Sequence, residues 1–115
     1  MEIIKIFKAL SDETRIRILN LLKHGELCVC EIESLLNITQ SNASRHLTRL
    51  SNSKLIVGTK KHQFVYYKLN DEIFEKYAFL RGVIFEETEK IKELKDDTNK
   101  LINFKNSGKG CNNLD

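Results

Sequence analysis

The residues of this 115-residue chain best suited to chemistry are its thiols: Cys28 and Cys30, separated by one valine, and Cys111 near the end. Thiolates are soft ligands that favour trivalent arsenic or antimony, cadmium, lead or copper(I), and they release protons on binding. The same pair can answer to oxidants, so a thiol-redox switch is the alternative chemistry. Cys-Val-Cys lacks the Cys-x-x-Cys spacing of a dithiol reductase. No phosphate loop, paired acids or nucleophile with a base accompanies it, so an enzyme is not expected.

A second chemistry is written in charge. No acidic residue stands between Glu33 and Asp71, yet Arg45, Arg49, Lys54, Lys60, Lys61 and Lys68 all fall there. The overall charge of +3 identifies no partner, but a basic middle with acids on both flanks points to an anion.

The elements that must position these groups follow from periodicity. With 41% hydrophobic and 30% charged residues and no proline, the chain suits one helix-rich domain with a modest core. Ile3, Ile4, Phe7 and Leu10 have helical spacing. Ser11 is read as the cap of a second helix, which ends at His24-Gly25. Val29, Ile32, Leu35 and Leu36 form a short third helix ended by Asn37. Thr39 then caps a fourth, with Ala43, Leu47 and Leu50 inward: a helix-turn-helix. Leu55–Lys60 and Phe64–Leu69 read as strands of a hairpin, hence a wing, turning at Lys61, His62 and Gln63. Asn70 caps one long final helix whose stripe of Ile73, Tyr77, Leu80, Ile84, Ile91 and Leu94 is nearly heptad and asks for a partner helix.

On the fourth helix a 100° step places Ser41, Ser44, Arg45, Thr48 and Arg49 outward, Asn42 at the margin, Gln40 nearer the buried side and His46 close to the apolar edge. Arginine can bond guanine bidentately, and Ser and Asn add shorter-range bonds. The DNA-contacting set is therefore read as Gln40, Ser41, Asn42, Ser44, Arg45, His46, Thr48 and Arg49, with Lys60 and Lys61 of the wing on phosphates.

From about Phe7 through Leu69 these residues resemble the ArsR/SmtB family of metal-sensing repressors. KALSDETRIRIL looks like its first linker and second helix, ELCVCEI like its arsenical-sensor box, TQSNASRHLTRL like its recognition helix and VYYKL like its returning wing strand. The resemblance implies a homodimer paired through terminal helices, bound to double-stranded operator DNA without a cofactor and released when arsenite, antimonite or another soft ion binds. It also implies three thiolates around the ion. Glu33 stands near where a third is common, so Cys111 is the remaining candidate beside Cys28 and Cys30. Glu13, Lys54 and His62 depart from the family's customary proline and glycines. The family's zinc site on the last helix is not expected, since no histidine follows His62.

The expected architecture is mainly α with a small β-hairpin, a winged helix-turn-helix over residues 1–102 that dimerises through its N- and C-terminal helices, and a flexible tail over 103–115. No export signal or membrane span is legible, which places the protein in the cytoplasm with reduced thiols. Cys28 and Cys30, two apart on a regular helix, should diverge by about 200°. Joint capture of one ion would then require unwinding the helix start.

Overall fold

The computed structural model describes residues 1–108 and 110. Helix α1 (Glu2–Leu10) and helix α2 (Glu13–Leu22) open the chain. Asp12 caps α2 rather than Ser11: its carboxylate accepts the Arg15 backbone N–H at 3.1 Å. The Ser11 hydroxyl instead donates back to the Lys8 carbonyl of α1. Helix α3 (Val29–Leu36) ends on Asn37 in the left-handed region, φ 54°, where asparagine is better tolerated than most residues. Helix α4 (Gln40–Asn52) begins under Thr39, whose hydroxyl accepts the Asn42 N–H at 3.2 Å. Ala43, Leu47 and Leu50 are buried as the spacing requires.

The wing is larger than the sequence indicates. Strands β2 (Ile56–Lys61) and β3 (Phe64–Leu69) form the hairpin, and a third short strand, β1 (Leu27–Cys28), adds to its other edge in the order β1-β3-β2. Leu27 stands opposite Tyr67 and Cys28 opposite Tyr66. Two residues are too short for any alternating pattern, which is why β1 leaves no signal in the sequence. Lys54 (φ 67°) and His62 (φ 59°) adopt the left-handed backbone, each at a steric cost. At Gly58 an added Cβ would sit 2.8 Å from the Tyr67 ring, so this residue admits that ring against the strand.

The single long C-terminal helix is not found. The chain forms α5 (Asp71–Lys76), α6 (Phe79–Arg81), a π turn over Gly82–Glu86, a 3-10 turn over Glu87–Lys90 and then α7 (Lys92–Asn106). Extended backbone at Tyr77 (φ −118°, ψ 90°) and Ile91 (φ −104°, ψ 121°) makes the breaks. They let α7 pack against α2 and α3. Ile73, Leu80, Ile84 and Leu94 are therefore spent on the chain's own interior.

Polar bonds fix that return. Arg17 grips Asp97 with both prongs, at 2.8 and 3.0 Å. Asn20 donates to the Leu94 carbonyl at 3.0 Å, and Lys23 to Thr88 and Glu89 at 2.8 Å each. Helix α7 runs beyond residue 102 to Asn106, with Leu101 buried and Phe104 packed on the core. No helix among the described residues is long and apolar enough to cross a membrane.

Candidate nucleic-acid interface and thiol corner

Helix α4 presents Gln40, Ser41, Ser44, Arg45, Thr48 and Arg49 as exposed side chains, with Asn42 half-buried beside them. Gln40 differs from the projection because it is the first helical residue, still outside the packed turn. Arg45 donates to the Asn42 side-chain carbonyl at 2.5 Å, which holds the guanidinium over the outward face.

His46 stands apart from these outward residues. It is only 4% exposed and lies behind the reading face, where its Nδ1 is 3.2 Å from Arg15 Nη1. Arginine can only donate, so Nδ1 accepts and the imidazole proton resides on Nε2. Burial, foremost, and the nearby Arg45, Arg15 and Arg49 hold the ring's pKa below its ordinary value, against the pull of Asp12. A neutral ring that accepts from Arg15 ties α4 to α2 from behind its exposed face. Arg15 completes the brace by donating to the Ala9 and Lys8 carbonyls at 2.7 and 3.2 Å, joining α1, α2 and α4.

The wing lysines also separate. Lys60 is exposed, whereas Lys61 forms a 2.5 Å ion pair with Glu26 and lies 5.4 Å from the Tyr66 ring centre. Its charge is shared with the segment that leads into β1.

At the thiol corner the structure overturns the helical-wheel argument. Cys28 is not inside α3. It is the residue capping that helix, in extended backbone (φ −84°, ψ 165°), and only Cys30 follows helical geometry. The two Sγ atoms consequently converge to 3.0 Å, a contact in which either sulfur can donate. Two thiolates on one ion at about 2.3 Å stand roughly 3–4 Å apart, so the pair fits a shared soft ion with little adjustment and no unwinding.

Glu31 builds this corner, a role that the sequence reading does not assign to it. Its carboxylate accepts the Cys28 N–H at 2.8 Å, the reach-back half of a capping box in which cysteine stands where Ser or Thr is usual. The Cys-x-x-Glu spacing is the signal that could have found it. Among the described residues no group of three His, Cys, Asp or Glu side chains could hold a metal, and Cys111 lies outside the described residues.

The overall architecture is shared with known proteins. Residues 12–56 match the family model described as bacterial regulatory protein, arsR family. The arsenic resistance transcriptional regulator ArsR1 of Pseudomonas putida is 41% identical over 81 residues, 69% of this chain and 63% of that protein. The transcriptional repressor SdpR of Bacillus subtilis is 34% identical over 103 residues, covering 90% of this chain and 92% of the repressor. A homodimeric winged helix-turn-helix DNA-binding domain from Mycobacterium bovis superposes with a TM-score of 0.64 at 25% identity, over 79% of this chain and 85% of that one. The chain spans less than two thirds of the length of ArsR1, ArsR2 and the CadC homologue that it matches. With near full-length similarity to SdpR and the winged helix-turn-helix in place, the chain belongs to the ArsR family, whose matched members are transcriptional regulators and not enzymes.

Proposed function

We propose that this protein is a homodimeric, cytoplasmic repressor that holds a palindromic operator of a metal or metalloid resistance operon and releases it when a soft ion is captured by Cys28 and Cys30. Cys111 is the proposed third thiolate. It would come from this chain or from its partner in the dimer.

One observation carries the reading: Cys28 belongs at once to the wing sheet, opposite Tyr66, and to the cap of α3. Any change in the Cys28 backbone is therefore felt by the wing through the β1-β3 ladder and by the helix-turn-helix through α3, which packs against α4. Glu31 and the Glu26–Lys61 pair flank the same junction. Capture need not unwind a helix; it needs only to shift the joint between the two DNA-facing elements. By linkage, DNA must weaken ion capture by the factor that the ion weakens DNA binding.

The similarity to ArsR1 supports arsenite as inducer, and the homodimeric relative supports pairing. Pairing would use the apolar side chains left outside: Ile4 and Phe7 of α1, 45% and 50% exposed, with Phe85 and Ile91. Two recognition helices would then enter successive major grooves, on half-sites about one turn apart or a multiple of it.

Titrating the protein on its own promoter duplex with arsenite, antimonite, cadmium and zinc tests this. Release by the softer ions and not by zinc is expected. No release by any of them contradicts the sensor, and release by mild peroxide alone makes the pair a redox switch.

A further inference from the structure

Between α1 and α4 lies an open cleft of about 680 Å³ whose lining includes Lys5, Lys8, Arg15, Arg45 and Arg49 and contains no acidic residue. Elsewhere Arg17, Lys23, Lys61, Lys76 and Lys92 are tied to carboxylates. Among the described residues none of the cleft cations has such a partner. Arg15 is 9% exposed, and its side-chain hydrogen bonds go to two carbonyls and a ring nitrogen, with Asp12 acting on it only through space.

We propose that this cleft seats a DNA phosphate backbone, making Lys5 and Lys8 of α1 a third DNA-gripping element beside the recognition helix and the wing. The inference rests on the DNA reading above and extends it to residues outside the helix-turn-helix. The two lysines are exposed and three residues apart, hence on one face of α1. The opposite wall is the reading face itself, Ser44, Arg45, Thr48 and Arg49. A helix in the major groove is bordered by backbone carrying one charge per about 1.7 Å of duplex, so cations beside that helix lie where phosphates run. A small anion in the same place would compete with DNA for Arg45 and Arg49.

The test is the double substitution Lys5→Gln, Lys8→Gln, measured by fluorescence anisotropy on promoter and scrambled duplexes across a salt series. Thermal melting serves as the check on folding. The slope of log affinity against log salt should flatten by about 0.9 for each phosphate that is no longer neutralised, with equal weakening on both duplexes and arsenite release retained. An unchanged slope, while Arg45→Ala still alters discrimination, overturns the inference and leaves the DNA reading standing. If inorganic phosphate displaces DNA from the wild type and not from an unchanged-slope variant, the cleft is a small-anion site instead. Absence of salt-sensitive binding by the wild type would remove the DNA reading and this inference together.

Discussion

The reading face and the thiol corner are built in opposite ways. On α4 the outward side chains are exposed and the bracing comes from behind, where Arg15 ties His46 to the end of α1. At the thiol corner Cys28 is fully buried, its backbone belongs to a sheet, and its N–H is held by Glu31. An exposed face can be filled by a partner without rearranging the core. A buried, cross-braced joint cannot accept a new ligand without passing the disturbance on, because packed elements deform as units. That contrast is what would separate the proposed reader from the proposed sensor in one small domain.

The contrast can be broken from either side. Arg45→Ala should give the largest change, a loss of about 1–3 kcal/mol of discrimination per half-site with arsenite release intact. Competition binding between promoter and mismatched duplexes reads it, and equal loss on every sequence would deny Arg45 a base-reading role. Arg17→Met acts on the other side. It leaves Asp97, 3% exposed, without its cation and should destabilise the fold by about 2–3 kcal/mol in urea denaturation. The value is discounted from a fully buried pair because Arg17 is partly exposed. A melt like wild type would show that α7 is not anchored there.

Glu31→Ala removes the reach-back bond to Cys28 and should cost about 1 kcal/mol, while weakening the response to arsenite more than DNA affinity. If arsenite response is untouched, Glu31 only caps a helix. The smallest effect concerns pH. The folded state holds His46 below its ordinary value near 6.5, so the unfolded chain binds more protons once the pH falls below about 6.5. Stability should therefore decline on acidification through that window. His46→Gln should flatten the decline in part, since His24, shifted the same way chiefly by burial, remains. A decline as steep in the variant would contradict the neutral, buried ring.

Much of the fold and the reading face is legible in the sequence because it rests on periodicity and chemistry. Ala43, Leu47 and Leu50 at helical spacing locate α4 and its outward arginines, and Thr39 and Asn37 mark the turn before it. The differences have physical causes. Strand β1 is two residues long and exists only through its pairing with Tyr66 and Tyr67, so the Cys28 geometry cannot be read from local pattern. The apolar stripe from Ile73 to Leu94 suits a continuous helix, but the Arg17–Asp97 and Lys23–Glu89 bonds reward a chain that breaks and returns. Such long-range compensation leaves no periodic trace. Nothing local in the sequence says that α1 borders the outward face of α4, so Lys5, Lys8 and Arg15 give no signal there.

Reciprocity offers the most direct trial of the sensor. Arsenite affinity should be measured on the dimer alone and on the dimer saturated with promoter DNA, and DNA affinity with and without arsenite, for the wild type, Cys28→Ser and Cys30→Ser. The account predicts one shared coupling factor in the wild type, about 5–150-fold, and a factor of one in both variants with DNA affinity preserved. A coupling that survives either serine substitution, or a loaded wild type that holds DNA as tightly as before, would contradict it.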